Sequence, residues 1–259
     1  MHPVLFEILG FPVSSYGAAL SLAFAIGIAV AAVRARRVGL ETDRMLDMSM
    51  WILVSSLVGA RLLYVALHWS EFRPPEGTLL DVVNPFGSGD RPGIAGLSVL
   101  GGLPAALLAA FAYLRWKRLP ILAYMDVAAP SIALGAGITR VGCFLNGCCF
   151  GTRCEWPVAV AFPPGSPAGA ALPGALLHPT QLYQALAGFA LFGLLLLYER
   201  RRPAPGAVVA ALFLGMGLQR FAVELVRHPG PGGAYQWIAL GIAATAGIAL
   251  TRISARSSG

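Results

Sequence analysis

The stretch YGAALSLAFAIGIAVAAV, residues 16–33, decides the fold class of this sequence. It carries no charged side chain, and its length approaches the roughly 20 residues that an α-helix needs to cross a bilayer. The basic sequence RARR follows at once at residues 34–37. An apolar run that ends in arginines is typical of a membrane-spanning helix with its basic end in the cytoplasm.

The same apolar character extends over the whole chain. Of its 259 residues, 57% are hydrophobic and only 12% are charged, far from the composition of an average soluble domain. The apolar runs are long and unbroken, whereas membrane β-barrels show short alternating segments. We therefore expect an all-α integral membrane protein with about seven transmembrane helices, folded as a single domain over residues 1–259.

Seven candidate spans follow from length and flanking residues, and the basic residues give them an orientation. Basic clusters follow the first, third, fifth and seventh spans, which predicts an N-terminus outside and a C-terminus in the cytoplasm. The net charge of +7 is mostly this topology signal, and it does not indicate nucleic-acid binding. The spans lie at about 16–33, 48–68, 97–114, 121–139, 181–198, 206–226 and 234–251.

Two long connections, at about 69–96 and 140–180, would then form arm and head segments on the outer face. The second connection is rich in glycine, proline and alanine, and its alternating residues 158–162 predict one small strand. Because the cytoplasmic turns are short, we expect the functional site on the outer side.

Arginines at membrane depth are the first candidates for that site. Arg61 lies inside an apolar helix, where a charge is costly unless it pairs or reaches water, so both a functional and a structural role stay open. Arg220, Glu224 and Arg227 share one helical face, and a structural pair needs only one arginine. Together with Arg140, they predict a pocket that binds an anionic phosphate, such as a phospholipid headgroup.

A histidine and a group of cysteines lie in the same outer region. His178 begins the fifth span and is a candidate for proton transfer, although a lone histidine more often caps or packs. All four cysteines lie within residues 143–154 in a C-x4-C-C-x4-C pattern, which lacks the C-x2-C pairs typical of zinc sites. We expect one disulfide or none, with Cys154 joined to Cys148 or Cys149 if one forms, and neither a metal ion nor an organic cofactor.

Seven short stretches occur in a fixed order along the chain: VSSYG at 13–17, GARLLY at 59–64, GLSVLGGL at 96–103, DVAAPSIALGAGITRVGCFLNG at 126–147, WPVAVAFP at 156–163, HPTQLYQ at 178–184 and RFAVELVR at 220–227. This ordered set resembles the prolipoprotein diacylglyceryl transferase family, and the resemblance covers most of the chain. It implies a bacterial inner-membrane transferase that moves the diacylglyceryl group of phosphatidylglycerol to the lipobox cysteine in a preprolipoprotein signal peptide, releasing glycerol 1-phosphate.

The resemblance also implies roles for individual residues. Arg140 and Arg220 match essential arginines, and with His178 and Glu224 they are the expected catalytic residues. Gly151 matches a position linked to activity, where the backbone is expected to pass close to the lipid. The residues expected to bind substrate are Tyr16, Arg61, Gly101, Gly102, Asn146, Gly151, Tyr183 and Arg227.

The sequence departs from the family at four positions, all connected with proton handling or its surroundings. Leu100 stands where well-studied members have a histidine, a favoured general base, and Gln184 stands where a glutamate is usual. Cys143 and Cys148 replace an asparagine and an acidic residue. Two explanations remain open: a working transferase in which His178 or solvent replaces the base, or a divergent member that binds phospholipid or lipopeptide or modifies another acceptor.

A third reading, a small-solute transporter, rests on the intramembrane arginines alone. Transporters commonly contain two structural repeats with helices broken at the midplane. The sequence has neither feature, so this reading is disfavoured.

Overall fold

The structure is a computed structural model that describes residues 4–8, 11–72, 82, 98–228 and 233–258. Helices dominate these ranges, and strands are few and short. The elements are β1 (Val4–Ile8), β2 (Phe11–Ser14), α1 (Ser15–Arg37), α2 (Thr42–Leu67), a short 3-10 helix (Trp69–Phe72), α3 (Val99–Trp116), α4 (Ile121–Asn146), β3 (Val160–Ala161), α5 (Pro167–Ala171), β4 (Leu176–Leu177), α6 (Thr180–Glu199), α7 (Ala207–Glu224) and α8 (Ala234–Ser258).

The helices confirm the expectation of an all-α membrane protein. Six of them, α1, α2, α4, α6, α7 and α8, are long and apolar enough to cross a bilayer, and a shorter apolar helix, Leu100–Trp116, coincides with the third predicted span. Large apolar side chains point outward along them, as in Leu108 (68% exposed) and Leu186 (69% exposed). Such surfaces are expected to face lipid.

One boundary differs from the sequence-based expectations in a way that matters for the site. The fourth span was expected to end near residue 139, but α4 continues as helix to Asn146 and carries Arg140 and Cys143 within it. The second long connection therefore begins at Gly147. The small strand predicted at 158–162 is present as β3, which pairs antiparallel with β4. Most of the first connection, at 69–96, lies outside the described residues.

The chain divides into two compact units. The first contains Met1–Leu5, Ser14–Arg34 and Leu122–Gly259, and the second contains Phe6–Val13 and Ala35–Ile121. The expected single membrane domain stays a prediction.

Helix contacts in the first unit rely on small residues. A Cβ added at Gly188 in α6 would lie 3.0 Å from the Cα of Gly137 in α4, so the two backbones touch. Membrane helices, which gain little from burying apolar surface against each other, commonly pack through such small residues. An apolar core joins α4, α6 and α7 around Ala129, Ala133, Leu195, Val208, Val209 and Leu212.

Two polar arrangements anchor the first unit away from the candidate site. Asp126 accepts hydrogen bonds from the backbone N–H groups of Gly206 (2.7 Å) and Val209 (2.8 Å), and so caps the start of α7. Arg34 forms a two-pronged ion pair with Glu199 at 2.7 and 2.8 Å. Its Nε also donates to the carbonyl of Val127 at 3.0 Å.

Candidate functional site

Four charged side chains form a cluster in the first unit, which we call the arginine group: Arg140, Arg220, Glu224 and Arg227. Arg220 Nη2 forms an ion pair with Glu224 Oε1 one helical turn away. Arg227 Nη1 lies 3.6 Å from the same oxygen, and the Glu224 side chain is only 9% exposed. The helical spacing read from the sequence therefore brings these side chains together as expected.

The arginine group holds more positive charge than its carboxylate can balance. Arg220 interacts electrostatically with both Arg227 and Arg140 as well as with Glu224. Within the described part of the chain, the buried Arg227 Nη1 donates no hydrogen bond. Unused guanidinium donors with excess positive charge suit an anion with several acceptor oxygens, above all a phosphate.

The backbone around Gly151 is hydrogen-bonded to two other segments of the chain, one at His178 and one at Val226. The Gly151 N–H donates to the carbonyl of His178 at 3.0 Å, and the next N–H, from Thr152, donates to the carbonyl of Val226 at 2.8 Å. A Cβ added at Gly151 would lie 2.6 Å from both the His178 Cβ and the Val226 carbonyl oxygen. Glycine is thus required here by two neighbouring chain segments. The expected approach of this backbone to lipid stays a prediction.

Three of the four cysteines converge beside the arginine group. The sulfur atoms of Cys143, Cys148 and Cys149 all lie within 4.8 Å of one another. All four cysteines are free thiols, so no Cys154 disulfide forms. Hydrogen bonds from the other two thiols lower the pKa of Cys149, and the positive charges of Arg140 and Arg227 act in the same direction. The free thiols agree with the expectation of one disulfide or none, and the expected absence of a metal ion stays a prediction.

Two α6 side chains hold the cysteine segment in an unusual conformation. Cys149 has a positive φ of 60°, which costs a non-glycine residue about 1–2 kcal/mol. The Thr180 hydroxyl donates to the Cys149 carbonyl at 2.8 Å, and Gln181 Nε2 donates to the Cys148 carbonyl at 2.6 Å. Both donors are fully buried. These bonds hold the strained segment in place.

Two residues expected to bind substrate, Tyr16 and Asn146, lie near the three converging cysteines. The half-buried Tyr16, in the first turn of α1, interacts electrostatically with Cys143, Cys148 and Arg140. Asn146, the last residue of α4, lies within hydrogen-bonding range of the Cys148 thiol. Both therefore share the neighbourhood of the arginine group.

His178 belongs to a separate polar pair. Its Nδ1 lies 3.2 Å from the Tyr183 hydroxyl, and its ring makes an edge contact with Trp156 at 6.1 Å between centroids. Tyr183, expected to bind substrate, is thus the partner of the histidine expected to move protons.

Three expected substrate-binding residues belong to the second unit. Arg61 Nε donates to the carbonyl of Val82 at 3.1 Å, and the guanidinium lies 5.3 Å from the Phe72 ring centroid. Gly101 and Gly102 pack against α2: a Cβ at Gly102 would lie 3.0 Å from the Ser56 carbonyl oxygen. The glycine pair thus serves close helix packing, and its expected role with substrate stays a prediction.

Comparison with known proteins identifies the family. The family model described as prolipoprotein diacylglyceryl transferase matches residues 3–254. The chain belongs to this family. Proteins named phosphatidylglycerol–prolipoprotein diacylglyceryl transferase are similar along most of their length. The Finegoldia magna protein is 31% identical over 88% of this chain and 84% of its own. The Clostridium tetani protein is 29% identical over 88% and 86%, and the Chlorobaculum tepidum protein is 31% identical over 88% and 79%.

In this family member, sequence reasoning missed several residues that shape the site. The convergence of Cys149 with Cys143 and Cys148, and the supporting roles of Thr180 and Gln181, became visible only through the turn after α4, where Gly147 and Cys149 both have positive φ. Tyr235, whose ring centroid lies 6.0 Å from the Arg220 guanidinium carbon, was also missed. No spacing signal in the sequence connects α8 with the end of α7.

Proposed function

We propose that this protein transfers the diacylglyceryl group of phosphatidylglycerol to the lipobox cysteine thiol of a preprolipoprotein and releases glycerol 1-phosphate. The observation that carries the proposal is the arginine group, whose excess positive charge lies in a chain of the prolipoprotein diacylglyceryl transferase family. A phosphate-bearing lipid supplies the negative charge that this group lacks.

The arginine group acts on both binding and reaction. Arg140, Arg220 and Arg227 hold the phosphate of phosphatidylglycerol, and the same guanidinium groups stabilise the charge that grows on it as the carbon–oxygen bond to the glyceryl group breaks. Because these donors are already in place, little reorganisation is needed in the transition state. Arg140 and Arg220 make the main contribution to stabilising the leaving phosphate.

Glu224 acts through its arginines. Its Oε1 contacts both Arg220 and Arg227, which lie on either side of it along the chain. The carboxylate limits repulsion between the two guanidinium groups and fixes their orientation, while leaving donors for the lipid. Glu224 is therefore a positioning residue in this mechanism.

The acceptor thiol must lose its proton, because the thiolate is the nucleophile. The sulfur lone pair forms a bond to the glyceryl carbon as that carbon's bond to the phosphate oxygen breaks. His178 is one available proton acceptor, oriented by its contact with the Tyr183 hydroxyl at 3.2 Å. Leu100, where the family usually has histidine, offers no such function.

The basic flanks of the helices support a location in the bacterial inner membrane with the N-terminus outside. The arginine group then lies at the outer, periplasmic boundary, where phosphatidylglycerol enters sideways from the bilayer. The exported signal peptide presents its lipobox cysteine on this side.

The test is to incubate the purified protein with phosphatidylglycerol and a lipobox peptide, and to weigh the peptide by mass spectrometry. We expect a diacylglyceryl mass gain with release of glycerol phosphate. The matched controls are a peptide with serine in place of the lipobox cysteine and the Arg220→Gln variant, both without mass gain. Absence of transfer by the wild-type protein, while a relative reacts under the same conditions, would overturn the proposal.

A further inference from the structure

The cysteine cluster at the end of α4 has the composition and geometry of a metal site. Three sulfur atoms converge to within 4.8 Å of one another, and all three thiols are free. Cys143 lies in the last turn of α4, and Cys148 and Cys149 follow in the turn after it. The Cys148 N–H donates to the Cys143 carbonyl at 3.1 Å, which folds the turn back onto the helix.

These separations fit one thiolate-bound ion. With zinc–sulfur bonds of about 2.3 Å, three sulfurs in a tetrahedral arrangement lie about 3.8 Å apart. Sulfur atoms within 4.8 Å of one another need to approach by at most about 1 Å to reach this spacing. Thiolates favour soft or borderline ions such as Zn²⁺ over Mg²⁺ or Ca²⁺.

The surroundings support the ligands in the way that outer residues support known metal sites. Thr180 and Gln181 hold the carbonyls of Cys149 and Cys148 at 2.8 and 2.6 Å, which fixes where the adjacent cysteine side chains begin. Arg140 Nη1 makes a long contact of 4.0 Å with the Cys143 sulfur. Three thiolates and Zn²⁺ carry one negative charge, which the neighbouring arginines balance.

Three protein ligands leave one position open, which is the pattern of catalytic rather than structural zinc. Cys148 and Cys149 are only half-buried, so the cluster is accessible. The site also lies beside the arginines proposed to hold the phosphate of the lipid, since Cys149 interacts electrostatically with Arg140 and Arg227. A thiol in the open position would therefore meet the phosphate-bearing lipid.

We propose that Cys143, Cys148 and Cys149 bind one Zn²⁺, and that its fourth position takes the acceptor thiol of the lipobox cysteine. This inference rests on the proposed transferase function. A thiol that coordinates a metal ion is deprotonated outright, so the ion supplies the activation that Leu100 cannot. The cysteine cluster thus takes over the proton-handling role.

The step balances without an oxidant or reductant. The acceptor S–H bond breaks as the sulfur binds Zn²⁺, and its proton leaves to solvent. A sulfur lone pair then forms the bond to the glyceryl carbon, and the electrons of the broken carbon–oxygen bond stay on the phosphate oxygen. Glycerol 1-phosphate leaves as an anion, and the thioether, a weaker ligand than a thiolate, dissociates from the ion.

Metal binding is tested first, with the full chain in detergent and without reference to activity. We expect one Zn²⁺ per chain by elemental mass spectrometry and, after exchange with Co²⁺, thiolate-to-metal absorption with tetrahedral d–d bands. Cys148→Ser and Cys149→Ser should each weaken Zn²⁺ binding by more than about 100-fold, because loss of an outer-shell residue alone costs 10–100-fold.

Cys154→Ser is the matched control, because this buried cysteine lies outside the three-sulfur cluster. It should bind Zn²⁺ as the wild-type protein does. A wild-type protein that binds neither Zn²⁺ nor Co²⁺, or equal binding in the Cys149→Ser and Cys154→Ser variants, would overturn the proposal. So would a wild-type protein isolated with Cys148 and Cys149 joined in a disulfide.

The role of the open position has its own test. Adding the lipobox peptide to the Co²⁺ form should intensify the thiolate absorption, whereas the serine peptide should leave it unchanged. Chelation should abolish transfer and Zn²⁺ should restore it. Transfer that persists fully in a Cys148→Ser, Cys149→Ser double variant would overturn this inference and leave the transferase intact. Peptide-dependent Co²⁺ absorption without any transfer would instead count against the transferase function alone.

Discussion

The first unit contains two arginine–glutamate arrangements that differ in their charge balance: the Arg34–Glu199 ion pair and the arginine group. Arg34 and Glu199 form a one-to-one ion pair, and the arginine also donates to the Val127 carbonyl. In the arginine group, Arg220 and Arg227 share the single carboxylate of Glu224, and Arg140 adds a third positive charge that acts on Arg220. A buried donor of Arg227 stays unused among the described residues. A balanced, satisfied pair stabilises the fold, whereas an unbalanced group with free donors is prepared for a ligand.

The largest effect should come from breaking the balanced pair. Arg34→Met leaves Glu199, whose side chain is 29% exposed, without its cation, so the cost should be about 3 kcal/mol, the lower end of the range for breaking a buried ion pair. We expect a marked drop in thermal stability in detergent, with transfer by the folded protein unchanged. The double variant Arg34→Met, Glu199→Leu should recover most of the lost stability; failure to do so would mean that the pair is not the cause.

Arg220→Gln should have the opposite effect to Arg34→Met, with a large loss of transfer activity and little loss of thermal stability. Removing one of the arginines that share Glu224 leaves a better balanced group, so thermal stability should change little. Transfer should fall by roughly 100- to 1000-fold, as when one donor to a developing oxyanion is removed. Steady-state kinetics measure the transfer rate, and thermal unfolding of the same preparation measures the stability. Loss of stability with retained activity would place Arg220 with Arg34 as a structural residue.

Glu224→Gln tests whether the carboxylate is the counter-charge that the arginine group needs when no lipid is bound. The arginine group then keeps its cations without a counter-charge, and losing hydrogen bonds to charged groups costs about 1.5–3 kcal/mol. Phosphatidylglycerol should stabilise this variant more than the wild type, because the lipid phosphate replaces the missing charge. The measurement is the shift in unfolding temperature on adding the lipid, and equal shifts in both proteins would contradict the account.

The smallest effect is expected at the support of the cysteine segment. Thr180→Val removes the hydroxyl that donates to the Cys149 carbonyl, a loss worth about 0.5–1.5 kcal/mol. Thermal unfolding should show a small decrease, and Thr180→Ser, which keeps the hydroxyl, should show less. A decrease as large as that of Arg34→Met would mean that Thr180 does more than hold this carbonyl.

The sequence predicted the helices well because apolar length and basic flanks are local signals. It also predicted the contact of Arg220, Glu224 and Arg227, which depends only on helical spacing. It did not predict the end of α4, because hydropathy falls at Arg140 while the backbone continues as helix to Asn146.

The cysteine cluster was beyond sequence reasoning for a different reason. Residues five and six positions apart do not share a helical face, so the spacing of Cys143, Cys148 and Cys149 suggests no common site. They meet because Gly147 and Cys149 take positive φ angles, and Thr180 and Gln181 on a distant helix hold that turn. A conformation that depends on tertiary contacts leaves no local pattern.

The most direct test of the central claim is to titrate glycerol 1-phosphate into the wild-type, Arg34→Met and Arg220→Gln proteins by calorimetry, at a temperature where all are folded. The account predicts the same affinity for the wild-type and Arg34→Met proteins, and binding at least tenfold weaker for Arg220→Gln. Equal binding by Arg34→Met and Arg220→Gln would contradict it, because the unbalanced arginines would then hold the phosphate no better than the balanced pair.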